Sequence, residues 1–143
     1  MKRVALALGA AMIVAGRVMA ASTASAQTDL PPAKVQGAIT YVSGGIGQDE
    51  VNAIRQAAAQ YPLELEFART ALPQNEYVSD IKVLIKDHLG RPVLDIISDG
   101  PFLLAKLPDG KYTVTADRHG NVKQRTTQIK AQQHVRLIFV WQR

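Results

Sequence analysis

The sequence predicts a mainly β chain: an antiparallel sandwich with one helix near its mature N-terminus. Three observations lead there. From Val78 onward apolar residues recur with period two, and Gly- or Pro-containing turns interrupt them about every 8–12 residues. One mature segment carries apolar residues at helical spacing. No cysteine is present among the 143 residues, so disulfides, thiol chemistry, a lipid-carrying Cys and Cys-ligated zinc are all excluded.

The N-terminus reads as an export signal. Lys2 and Arg3 precede an apolar run from Val4 to Ala15, and small residues lead to an A-x-A site at Ala24 and Ala26. The run is shorter than the roughly 20 residues a spanning helix needs. Residues 1–26 are therefore expected to be removed, with "VMA" ending at Ala20 as the competing site. No later apolar run is long enough to span a bilayer, so the mature chain carries no expected transmembrane segment. Residues 27–34 form a Pro-containing flexible lead-in, and 35–143 a single domain with an inserted helix at about 48–61. The expected location is periplasmic or secreted.

Charge narrows the function classes. Lys2, Arg3 and Arg17 leave with the signal, so the net charge falls from +5 to +2. That balance argues against a nucleic-acid binder. The remaining charge is uneven: Lys111 to Arg143 holds seven Lys/Arg against the single Asp117. Such an imbalance marks a candidate face for an acidic partner.

The elements follow in order. "VQGAITYVS" reads as a first strand, Val35 to Val42. In "GGIGQDEVNAIRQAAAQYP" Val51, Ile54, Ala58 and Tyr61 share a helical face, Asp49 is placed to cap and Pro62 stops the helix. "LELEF" alternates, with Leu63, Leu65 and Phe67 facing one way and Glu64 and Glu66 the other. "ARTALPQNEY" reads as a loop crossing to the next layer. "DIKVLIKD" directs Ile81, Val83 and Ile85 to one face and Lys82 and Lys86 to the other. "VLDII" is a strand between turns, and "FLLAKL" is an apolar strand, buried on both sides along part of its length. "KYTVTAD" turns Tyr112, Val114 and Ala116 inward. "VKQRTTQIK" is a polar edge strand, and "HVRLIFVW" aligns Val135, Leu137, Phe139 and Trp141 on one face.

"GRPVLDIISDGPFLLAKLPDGKYTVTADRHG" resembles the carboxypeptidase regulatory-like domain, a small transthyretin-like (Ig-like) β-sandwich. The matching features are the Asp87–Gly90 turn, Gly100, the Leu107–Pro108–Gly110–Tyr112 pattern and the Gly120 turn. They lie within about Val78 to Trp141. Pro108 presets the turn, Gly110 supplies a positive-φ position, and Tyr112 re-enters the core with its hydroxyl at the wet end. The chain departs from the pattern in two places. "RPVLDII" replaces the usual Gly-Ala-x-Val, and the helix and "LELEF" precede the domain. The resemblance implies a binding or spacer role in the bacterial envelope, with no cofactor. The strand–helix–strand start is similar, at pattern level, to short secretin- and receptor-associated modules.

Catalytic readings find little support. If the strands cross antiparallel in succession, His88 and His134 lie at one end of the sandwich and His119 at the other. Two histidines without a fixed carboxylate make a poor zinc site. Asp87, Asp99 and Asp109 stand at turn glycines, where Asp bonds the local backbone, and no calcium loop pattern occurs. Ser43, Ser79 and Ser98 have no adjacent base. "GGIGQDE" lacks a phosphate-loop pattern, and Asp49 and Glu50 would repel an anion. The chain ends in "FVWQR", without the Tyr-Arg-Gly-Ser of transthyretin-like hydroxyisourate hydrolases. No catalytic or metal residue is therefore assigned. A transthyretin-type small-ligand carrier or hydrolase is the alternative. The candidate binding face comprises Lys111, Lys123, Arg125, Lys130 and Arg136, facing an envelope protein or acidic envelope polymer.

Overall fold

The computed structural model describes residues 30–142. The signal segment with its Ala24 and Ala26 site lies outside them. Among these residues ten strands build two sheets, and one α-helix and one short 3-10 turn lie between strands. The strands are β1 (Lys34–Gln36), β2 (Ile39–Gly44), β3 (Leu63–Arg69), β4 (Glu76–Tyr77), β5 (Lys82–Asp87), β6 (Pro92–Ile97), β7 (Phe102–Lys106), β8 (Gly110–Arg118), β9 (Asn121–Ile129) and β10 (Val135–Trp141). Helix α1 spans Gln48–Ala57 and runs into the 3-10 turn Ala58–Gln60. Sheet A has the order β1-β2-β7-β3-β10, with β4 also on β3; sheet B has the order β6-β5-β8-β9. The expected β-sandwich with one helix is what the described residues form.

The period-two faces meet between the sheets. Leu63, Leu65 and Phe67 of β3 pack with Ile81, Val83 and Ile85, with Tyr112, Val114 and Ala116, and with Phe139 and Trp141. Sheet A is also covered on its outer side. Val51, Ile54, Ala58 and Tyr61 of the helical segment lie on Val42, Phe102 and Leu104. That second core explains why Phe102 to Ala105 of β7 are apolar without a break. Leu103 and Ala105 belong to the inter-sheet core, while Phe102 and Leu104 face the helix. Burial of one such side chain contributes about 1.5–3 kcal/mol.

Three local expectations need correction. The first strand is a hairpin. Gln36 pairs with Ile39, and Gly37 at φ 57° occupies the first of the two turn positions. Asp49 does not cap the helix; Gly47 is the N-cap. Instead the Glu50 carboxylate accepts the Gly45 N–H at 2.7 Å and the Ile46 N–H at 3.4 Å, so the chain's own anion takes these backbone donors. By contrast, Gly110 has the positive φ expected of it, 155°, and Gly90 and Gly120 hold left-handed turns at φ 77° and 85°. Finally, the strands do not all cross antiparallel. β10 runs parallel to β3, with Arg136 in register with Glu64 and Ile138 with Glu66. The turn after β9 carries the chain from sheet B to sheet A, so hairpin alternation does not govern its direction.

The sandwich ends lie where the strand lengths place them. Asp87 is in register with Tyr112, and Lys82 with both Ile97 and Asp117. His88 and His119 therefore mark opposite ends. Gly100 serves a different need from the turn glycines. A Cβ there would lie 2.9 Å from the Gly44 Cα and nearer still to its carbonyl, so β2 and the start of β7 close only over a hydrogen atom.

Asp87 anchors its turn by accepting the Leu89 N–H at 2.9 Å and the Arg91 N–H at 3.0 Å, with the Arg91 guanidinium also in reach. The Arg91 N–H foremost, with the Leu89 N–H behind it, holds the carboxyl below its ordinary value. A carboxylate with a lowered folded-state value stabilises the fold above its unfolded value. That contribution fades as pH falls through the folded value. Urea titrations of wild type and Asp87→Asn across acid pH should show the variant less stable near neutrality. The two should converge below the ordinary carboxylate range. A constant difference at all pH values would contradict this role.

Candidate binding surfaces

The alternation of "ELE" on β3 meets that of "HVR" leading into β10. Because β10 is parallel to β3 and one-to-one in register, Glu64 and Glu66 lie on the outer face of sheet A beside His134 and Arg136. Both glutamate side chains are under 10% exposed. His134 Nε2 is 2.8 Å from Glu64 Oε2, and its Nδ1 is 2.7 Å from the Tyr61 carbonyl oxygen. Both ring nitrogens thus face acceptors. The Arg136 guanidinium donates to Glu66 and lies 3.8 Å from Glu64. The Glu66 hydrogen bond, followed by its charge, raises the Arg136 value further above its ordinary range. Nearby, Arg55 of α1 donates to the Tyr77 hydroxyl at 2.7 Å, and the Tyr77 ring packs 5.2 Å from Phe102.

His134 does have a fixed carboxylate, Glu64, contrary to the expectation from sequence. The signal was available: two acids and two bases, each at spacing i, i+2, on strands that had only to be neighbours. What the cluster does chemically is hold β10 and the end of the helix layer to β3. Among the described residues, no group of three His, Asp or Glu side chains is arranged to hold a metal ion.

The turn and core residues take defined positions. Tyr112 is buried, and its hydroxyl donates to the Pro108 carbonyl at 2.7 Å, fixing the corner after Leu107. Burial raises its phenol above the ordinary value, the Asp87 charge adding to the effect. Trp141 is fully buried and donates its indole N–H to the Asn121 carbonyl at 2.9 Å. Asp117 accepts the Gly120 N–H at 2.8 Å, completing the His119–Gly120 turn. Ser43 Oγ accepts the Asp99 N–H, and Ser98 Oγ the Ile81 N–H. These are corner and packing roles.

The five basic residues do not share one face. Lys111 is in register with Gln128, on the outer face of sheet B with Lys82 and Lys86. Lys123 and Arg125 are in register with Ala116 and Val114, both core-facing, so they project from the inner side of edge strand β9. Lys130 lies in the turn after β9, and Arg136 joins the cluster on the outer face of sheet A. Period two explains the separation: residues of opposite parity on neighbouring strands leave opposite faces.

Lys123 and Arg125 do come together with β10. They line, with Gln124, Ile138, Phe139 and Val140, an open cleft of about 300 Å³ where β9 and β10 face each other. The Arg125 guanidinium stands 5.9 Å from the centre of the Phe139 ring. The opposite flank is stitched shut. The Gln36 amide donates to the Asp95 carbonyl and accepts the Asp95 N–H, like a strand pairing, and Lys34 pairs with Asp99.

Compared with known proteins, the chain matches no family model, and no curated protein is significantly similar to it.

Removing the cation from the cluster leaves buried carboxylates. Arg136→Met should destabilise by about 1–3 kcal/mol, the lower end reflecting the half-exposed arginine. Adding Glu66→Leu should recover part of that loss. Urea midpoints of the single and double variants decide. Full additivity would mean that the pair is not coupled.

Proposed function

We propose that this protein is an exported, non-catalytic binding or structural module of the bacterial cell envelope, built on a domain of the carboxypeptidase regulatory-like kind. Its partner is an acidic envelope protein or polymer. The observation that carries the reading is how the charged groups divide. The side chains a hydrolase would call on, His134, Arg136, Glu64 and Glu66, are engaged with one another beside the helix layer. In contrast, Lys111, Lys123, Arg125 and Lys130 have no carboxylate in ion-pair range among the described residues. Exposed cations of this kind steer and hold acidic partners, and salt weakens them.

The resemblance supports the same role. A two-sheet sandwich with Tyr112 bonded back to the Leu107–Pro108 corner is the kind of scaffold it implies. The signal segment supports the location, because its charged start, short apolar run and A-x-A site form one export pattern.

The test is capture from an envelope extract with the purified protein at low and moderate salt. Wild type should retain a defined partner that is lost at moderate salt. Lys123→Glu/Arg125→Glu and Lys82→Glu/Lys111→Glu variants locate the face. An identical, salt-independent partner set for wild type and both variants would overturn the reading.

A further inference from the structure

We propose that the flank between β9 and β10 receives an extended acidic segment of another protein, added beside β10 as a new strand of sheet A. This rests on the binding-module reading and names its partner.

The backbone of β10 supplies the template. The Val135 N–H donates to the Pro62 carbonyl, and the Trp141 carbonyl accepts the Thr70 N–H, each at 2.8 Å. Both bonds point toward β3. Strand geometry alternates, so Val135, Leu137, Phe139 and Trp141 direct their backbone groups to β3. Arg136, Ile138 and Val140 therefore direct theirs outward. β10 pairs with no strand other than β3 among the described residues. Three residues of unpaired N–H and C=O form an edge that an extended peptide can extend.

The flank is open at that edge. Trp141 bonds Asn121 at one end only, while the opposite flank is closed by Gln36 and Lys34. A strand laid along β10 would turn alternate side chains inward, under β9. There they meet Lys123 and Arg125, two residues apart on one strand and spaced roughly 7 Å. Carboxylates on alternate residues of the guest match that spacing. The guest's other side chains would lie beside Ile138 and Val140, on the outer face of sheet A. The fitted segment therefore alternates acidic and apolar residues.

Charge decides between guests. A second copy paired through the same flank would bring Lys123 and Arg125 toward their counterparts, and like charges at an edge oppose that pairing. An acidic segment from another chain meets no such opposition.

The experiment uses fluorescein-labelled peptides and the purified protein. The probe is an eight-residue peptide alternating Glu and Val. The comparison probes are its Lys–Val counterpart, a version N-methylated at alternate residues, and octa-glutamate. Glu–Val should bind, with Lys–Val, the N-methylated peptide and octa-glutamate each at least about tenfold weaker. Lys123→Gln/Arg125→Gln should weaken Glu–Val by about tenfold or more with an unchanged far-UV spectrum, and Lys123→Glu/Arg125→Glu further. Amide exchange at Ile138 and Val140 should slow on binding. Absence of binding, equal binding of octa-glutamate, or binding without protection at Ile138 and Val140 would overturn the proposal. If envelope capture still responds to salt and to Lys82→Glu/Lys111→Glu, the module reading stands and only the strand site fails. If capture fails as well, both fall.

Discussion

β7 carries Phe102, Leu103, Leu104 and Ala105 with no exposed surface, so a layer has to lie on each side of it. Sheet B supplies one layer and the helical segment the other. This requirement organises the rest. It places α1 between β2 and β3 in the sequence, where it can lie back on the sheet those strands share with β7. It also makes Gly100 necessary, because β2 and the start of β7 run in contact there.

Covering both faces of sheet A has an electrostatic consequence. Glu64 and Glu66 alternate with the core residues of β3, so they leave on the side where the helix sits. Carboxylates removed from water need cations and hydrogen bonds. His134 and Arg136 meet that need, and they can do so because β10 runs parallel to β3 in their register. The same pairing leaves β10 at the edge of sheet A, facing the polar edge strand β9. The cluster that completes one layer thus creates the open flank, and the basic side chains of β9 lie over it.

Much of this was legible in the chain itself. The faces of β3, β5, β8 and β10 follow from period two, and Val51, Ile54, Ala58 and Tyr61 from helical spacing. The double-sided burial of Phe102 to Ala105 follows from the unbroken apolar run that opens "FLLAKL". The remainder depended on pairing, which a single strand's pattern does not encode. "VQGAITYVS" reads as one strand because its β-formers are continuous, and only the left-handed Gly37 folds it into a hairpin. The parallel course of β10 depends on which sheet the chain enters after Lys130. The five basic residues read as one face for the same reason. Their parity relative to neighbouring strands was fixed only by register.

The central claim is that the helix layer and the sandwich are one cooperative structure joined through β7. Native-state amide hydrogen exchange under increasing urea measures it directly. The backbone amides of Val51 to Ala58 that bond within the helix should open in the same global event as those of Phe102 to Lys106. Their exchange should converge on a single unfolding free energy. Exchange of the helix amides through a low-energy local opening, with β7 still protected to the global limit, would contradict the account.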